Sequence, residues 1–403
     1  MSRTVIKPLG KFIFPLALVS ASAMAAGPSL YEIGTDDVGL AAAGMAARAQ
    51  DASVLAINPA GLSHVKGKSF TGGAQLLVGD NDYTRDTGQT ADNVVGALPT
   101  VSAFYSQQLD DKWTVGLGTY GNYGSGVDFG DALNVGNKAT VLNKATLMSL
   151  IIAPSASYRF NEHWSVGAAL DINYGILKLE RNGIDGGKLK SDDHDFAFSG
   201  KVGVLYEYSD DTRFGLSYLS ETDFDLDAKD LSDYGSLGLN SVVKTPQQVM
   251  FSAFHQLNAS FAIMGNIGWQ DWSRYSDSEI NANANIKGNN VSSSGSSGDS
   301  LLQDTYHLAL GVQYLINQDW LWNMGVAFDS SFYRNQDNTS LTVPSGDAWR
   351  IGTGVKYQLD ETQSIGLAFE YVPIEDSYVQ GLVSGSYDSA LYFLMMNYSW
   401  QSI

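Results

Sequence analysis

The chain has 403 residues, with 24 Lys and Arg against 43 Asp and Glu, a net charge of −19 and no cysteine. An acidic balance of this size excludes a nucleic-acid partner, because phosphate neutralisation needs the opposite sign. Stability without disulfides must come from a large hydrogen-bonded scaffold or a large core, and no run after residue 25 approaches the roughly 18 apolar residues of a membrane-spanning helix.

Residues 1–25 read as a secretory signal peptide. Arg3, Lys7 and Lys11 supply the basic start, Phe12 to Val19 the apolar stretch, and Ala23-Met24-Ala25 a small-residue cleavage site before Ala26. An anchor is excluded, since a span needs about 20 apolar residues and this run is shorter and holds Pro15. Residues 26–68 do not alternate; they contain Gly34, Gly39, Gly44 and a run of alanines between Ala41 and Ala49. Two readings compete: a disordered or helical periplasmic leader, or a plug folded inside a barrel, where small residues allow close packing against a wall.

From Ser69 onward the sequence alternates. Trp164, Val166, Ala168, Leu170, Ile172 and Tyr174 lie on one face, with Ser165, Gly167, Ala169, Asp171 and Asn173 on the other. The same split recurs from Tyr306 to Ile316 and from Trp320 to Asp329. The polar face of a soluble sandwich would carry long charged side chains toward water, whereas this second face is mostly Gly, Ala, Ser and Asn. Aromatic residues gather at the ends of the apolar face, as in interfacial girdles. Short polar turns are expected at Asp110-Asp111, Asn161-Glu162, Ser209 to Asp211, around Asn258, at Asn317-Gln318 and at Asp360-Glu361. Long connections are expected near 80–98, 123–145, 182–194, 227–243, 274–303, 333–346 and 373–387. The prediction is an all-β fold: a 14-stranded antiparallel transmembrane β-barrel over residues 69–403, with the long loops outside and both ends periplasmic. Its last strand holds Tyr392, Leu394, Met396, Tyr398 and Trp400, with Gln401 to Ile403 overhanging.

Strict alternation sends Leu177, Leu179 and Arg181 inward near the outer end, giving an apolar lumen surface with one cation beside it. Leucines would accept an acyl chain and a guanidinium its carboxylate; the competing reading is a bulge that flips the register and leaves the leucines in lipid or loop contact. Leu391, Phe393 and Met395 also read as inward and apolar, either as ligand surface or as packing against a plug. His194 lies among Asp192, Asp193 and Asp195 in an expected outer loop, a solvated charge run before a calcium site. Five histidines without a Gly-x-Ser-x-Gly or His-Glu-x-x-His run give no catalytic residues, no metal and no cofactor; the chain is read as not an enzyme.

The stretch Asp51-Ala52-Ser53-Val54-Leu55-Ala56-Ile57-Asn58-Pro59-Ala60-Gly61 resembles the plug signature of the FadL-type family of outer-membrane long-chain fatty-acid and aromatic-hydrocarbon transporters. Asn122-Tyr123-Gly124, Trp164 to Arg181, Gly203 to Glu221, Thr245-Pro246 and Asp304 to Asp329 are similar to its strands. Between Gly39 and Gly44, Leu40 and Ala42 stand where the family usually has an Arg and an aromatic. The resemblance implies an N-terminal plug or hatch over 26–68 that carries Asn58, Pro59 and Ala60. It implies a ligand site at the Arg of Lys178-Leu179-Glu180-Arg181, and a kinked third strand, here Lys112 through Gly124, with a lateral opening at Gly121 and Gly124. A second basic residue that the family sometimes carries is replaced by Gln303.

The expected function is passive outer-membrane transport of a hydrophobic small molecule, a long-chain fatty acid first, by lumen binding and lateral release into the membrane. Uptake of aromatic or aliphatic hydrocarbon and a general diffusion porin are the alternatives. A third reading, an adhesin, would use the Val291 to Ser300 loop. The expected partners are the hydrophobic ligand, outer-membrane lipid and lipopolysaccharide, with the chain a monomer.

Overall fold

The computed structural model describes residues 31–402 except 137, 184, 230–236, 274–278, 287–288, 297–300 and 344. The expected signal peptide lies outside the described residues. Fourteen antiparallel strands form one closed sheet: β1 Lys68–Arg85, β2 Ala97–Gln108, β3 Trp113–Asp128, β4 Lys144–Arg159, β5 Trp164–Asn182, β6 Lys188–Ser209 and β7 Thr212–Leu219, then β8 Gln248–Asn258, β9 Phe261–Gln270, β10 Thr305–Leu315, β11 Trp320–Asp329, β12 Ala348–Gln358, β13 Gln363–Val379 and β14 Gly385–Ser402. Strands adjacent in sequence are adjacent in space, and β1 pairs with both β2 and β14. Closure removes the free edges that would present unpaired backbone groups to hydrocarbon, except along one stretch of the β2–β3 seam. Lys68 and Ser69 pair with Ser402 and Gln401, so these two residues of the expected overhang are instead part of the seam, and Ile403 lies outside the described residues.

Outward positions on β5, such as Trp164 and Leu170, are exposed, while Ser165, Asp171 and Asn173 are buried. Aromatic pairs mark two levels on the outer wall. Trp164 lies against Tyr206 with ring centroids 4.4 Å apart, and Tyr174 against Phe196 at 4.8 Å. These two rungs are ten residues apart on β5, which matches the roughly 9 to 11 residues that a tilted strand needs to cross a bilayer.

The six short turns fall where the sequence places them, and five share one device. Asp110, Asn161 and Asn317 each accept backbone N–H groups two and three residues on, the last from Trp113, Trp164 and Trp320. Asp360 does the same for Thr362 and Gln363, and Asn258 accepts from Ser260. This side-chain turn ends one strand and starts the next without glycine. The amide of Lys112 at Asp110 and that of Thr362 at Asp360 hold these exposed carboxyls below the usual carboxylate range.

At the opposite end the expected loops shorten. The β5–β6 connection is only residues 183–187 and the β13–β14 connection 380–384, because both hairpins continue as paired strands well above the aromatic rung. Asp192, Asp193, His194 and Asp195 therefore belong to β6 and not to a loop. Asp193 and Asp195 accept the backbone N–H groups of Asp227 and Asp225. The connections after β7 and β9 carry a second, four-stranded sheet of Thr222–Lys229, Leu237–Thr245, Glu279–Ile286 and Asn289–Ser296, where the sequence predicts irregular loops. Among the described residues no helix is long and apolar enough to cross a membrane.

Candidate functional site

Residues 31–65 lie inside the cylinder, at the end of the short turns. They form a short helix, α1 Thr35–Gly39, a tight coil, and two 3-10 turns at Ala52–Ala56 and Pro59–His64. The wall receives them through glycines. A methyl group built at Gly203 would overlap Asn58, one at Gly167 the Pro59-Ala60 backbone, one at Gly215 Ala46, one at Gly325 Leu40 and one at Gly352 Val38. The small inward face of the strands is therefore a seat for backbone. Ala41 and Ala42, with φ of 47° and 68°, take the left-handed conformation beside Gly325 and Gly352, at roughly 1 kcal/mol or more each.

Asn58 ties this segment together. Its side chain caps the second 3-10 turn by accepting from Ala60, and its amide donates to the carbonyls of Ala46 (2.7 Å) and Val204 of β6 (3.0 Å). Pro59 follows at the first helical position, where its missing N–H costs nothing. Buried charges fix the rest. Asp36 pairs with Lys356, Asp37 with Arg48, and Arg350 joins Glu32 of the segment to Asp329 and Glu370 of the wall. His307 contacts Asp329 at 2.6 Å under the ring of Tyr31.

Beside the segment the wall is interrupted. Among the described residues β2 and β3 pair only between Ala103–Gln108 and Thr114–Thr119. Beyond Thr119, β3 stays with β4 alone and carries a register shift between Gly121 and Gly124. The next tie between the two sides is the Asp128 N–H on the Val94 carbonyl, 2.7 Å. Residues 120–127 thus leave a break on the order of 25 Å along the strand. A small cleft there is lined by Glu32, Ile33, Ser102, Tyr120, Gly121 and Met395, among others, and Ser102 donates to the Ile33 carbonyl at 3.0 Å.

Above the outer aromatic rung the lumen is apolar. Leu177 and Leu179 join Ala197, Leu147 and Phe224 in one buried cluster, completed by loop residues such as Leu133, Leu142, Phe332 and Leu341 folded in from above. Both leucines point inward, as alternation predicts, and no bulge flips them. Arg181 is half-buried at the rim of the cluster, at the end of β5. Phe393 and Met395 also point inward but sit lower, in a separate cluster with Val38 of the N-terminal segment. The five expected ligand residues therefore divide between an upper chamber, filled by that cluster's own side chains, and the surroundings of the break. Asn58, Pro59 and Ala60 lie in the segment, and Gly121 and Gly124 bracket the irregularity in β3.

Sequence reading missed the buried charges. Asp171, Lys201, Asp329, Arg350 and Glu370 all occupy inward positions of alternating strands, so their parity was visible. Their partners were not, because parity gives no register: Lys201 stands diagonally from Asp171 on the neighbouring strand, Arg350 lies diagonally from both Asp329 and Glu370, and Glu32 comes from the N-terminal segment.

The sequence model of the family described as "Outer membrane protein transport protein (OMPP1/FadL/TodX)" matches residues 16–390. The chain is 26% identical over 431 residues to the long-chain fatty acid transport protein of Escherichia coli O6:H1, covering 92% of each. It is 24% identical to outer membrane protein P1 of Haemophilus influenzae strain Rd, over 89% of this chain and 88% of that one. Its fold is similar to the crystal structure of a Pseudomonas aeruginosa FadL homologue (TM-score 0.77, 16% identity, 94% and 99% of the two chains). It is also similar to that of the P. putida toluene transporter TodX (TM-score 0.71, 17% identity, 95% and 98%).

Proposed function

The chain belongs to the outer membrane protein transport family OMPP1/FadL/TodX, and from that premise we propose that it carries hydrophobic small molecules, long-chain fatty acids foremost, passively across the outer membrane. Ligand enters the upper chamber at Leu177 and Leu179, with Arg181 at the rim to meet a carboxylate. It then descends past Phe393 and Met395 and leaves sideways through the break between β2 and β3, at Gly121 and Gly124, when residues 26–68 shift as a plug. Lateral exit is the low-energy route, because a hydrophobic molecule gains nothing by entering the aqueous periplasm.

The observation that carries this reading is the interruption of β2–β3 pairing from about the outer aromatic rung outward, beside the N-terminal segment. A conducting pore for polar solutes has no use for a break in its wall and is obstructed by a buried segment in its bore. The protein works as a monomer among outer-membrane lipid and lipopolysaccharide.

The test is uptake of radiolabelled oleate by a Gram-negative host lacking its own long-chain fatty-acid transporter. Expression should restore uptake without raising permeability to small sugars. Sugar permeation without oleate uptake would make the protein a porin, and uptake of toluene in place of oleate would move the ligand to the hydrocarbons named for the solved relatives.

A further inference from the structure

Between the upper chamber and the N-terminal segment lies a rung of polar side chains that the proposed path crosses. Lys201 of β6 is 3% exposed; its Nζ donates to the Tyr120 hydroxyl at 2.8 Å and stands 3.1 Å from Asp171 Oδ2. Asp171 of β5 is fully buried, and neither of its carboxylate oxygens accepts a hydrogen bond among the described residues. Two inward positions below, Gly203 touches Asn58. Six residues above Asp171, Leu177 enters the apolar chamber, roughly 20 Å away along the strand.

A buried ion pair is costly unless hydrogen bonds satisfy the lone pairs and protons left over. This pair is incomplete on both sides among the described residues: of an ammonium's three donors Lys201 places one in a hydrogen bond, to Tyr120, while Asp171 has an ion pair and nothing more. Structural buried charges elsewhere in the lumen are better met, as at Arg350 with three carboxylates. Lys201 is also placed for consequence, because its partner Tyr120 lines the break and its ring lies 5.6 Å from that of Phe104 on β2.

We propose that Lys201 is a binding site for the carboxylate of an acyl ligand whose tail lies upward in the Leu177–Leu179 chamber. Asp171 holds the position of that carboxylate in the empty barrel, and the ligand's head group displaces it from the ammonium. Recruitment of Lys201 by the ligand loosens its hold on Tyr120, at the edge of the opening. This deepens the transport reading and rests on it, for it assigns the ligand to the acids and not to neutral hydrocarbons. It also makes Arg181 a first station and Lys201 the second.

The experiment compares oleate with oleyl alcohol, equal in tail and lacking the charge, as radiolabelled ligands for the purified full-length mature protein in detergent. The wild type should prefer oleate by about ten- to a hundredfold, the range of one charged hydrogen bond. Lys201→Met should lose most of that preference with oleyl alcohol binding little changed, and Lys201→Arg should keep it. Asp171→Asn should bind oleate more tightly than the wild type. Lys201→Met leaves Asp171 alone in the lumen, so the double variant K201M/D171N, which removes both charges, guards against misfolding, with heat-modifiable migration of the barrel as the folding control. A folded variant without Lys201 that prefers oleate as strongly as the wild type would overturn the proposal while leaving transport standing. Failure of the wild type to bind either ligand would overturn both.

Discussion

At Arg181 the guanidinium donates Nη1 to the Asn182 carbonyl and sits half-exposed at the chamber's mouth. A surface cation of this kind contributes to capture more than to deep binding, since solvent screens it. Arg181→Ala should therefore weaken oleate binding by no more than about 1 kcal/mol, the value of a solvent-screened ion pair, measured by the same radioligand titration. Unchanged affinity would remove Arg181 from the path. Individual inward residues were legible in the sequence wherever alternation held: Leu177, Leu179, Phe393 and Met395 all point into the lumen. Their grouping was not legible, because a parity rule gives a face and not a height. The height at which Met395 meets Val38 depends on where the N-terminal segment docks.

Turns were readable as elements because each is closed by its own side chain. Asn161 or Asp360 needs only the next three residues to make its bonds, and local chemistry survives any tertiary context. The outer hairpins were misjudged for the complementary reason. Beyond Tyr174 the outward positions of β5 and β6 become Lys178, Glu180, Lys188, Lys190 and Asp192, since that part of the ladder faces water and no longer needs an oily side. The oily-versus-small contrast that identifies a strand in lipid is lost there, although the hydrogen bonds continue.

The break in the wall is an element-scale feature too. One extra residue on β3 between Gly121 and Gly124 throws the strand off its partner's register, and such a bulge bends a strand and disrupts its ladder. Deleting Asn122 should restore even spacing and let β3 pair further along β2. Oleate binding to the purified protein should then persist while uptake by cells falls to the background of the host. Normal uptake through the repaired strand would place the exit elsewhere.

For the whole molecule, closure between β1 and β14 was implied by an even strand count, and the seam runs the full length of both strands. The N-terminal segment was the open question at this scale. Its composition allowed a leader or a plug, and a run of alanines states no destination by itself. The complementary record lay hundreds of residues away, in glycines such as Gly203, Gly325 and Gly352, whose missing side chains are shaped to its backbone. Removing residues 31–65 should open the lower bore to water, because the charged groups of Arg350, Lys356 and Asp329 would then line it, with the apolar cluster above still narrowing the path. Planar bilayers should show single-channel currents more often from the truncated protein than from the intact chain. Equal currents from both would show that the segment is no barrier.

The apolar chamber stands above the outer aromatic rung, and so above the hydrocarbon of the bilayer. The protein in effect holds an oily cluster just outside the bilayer, where a greasy solute otherwise finds mostly water. Passage then resembles partitioning between two organic phases joined by a short polar ledge, with no fuel needed at any stage. Net direction is set by whatever removes the solute from the inner leaflet, so the same barrel would leak cargo outward if consumption below it stopped.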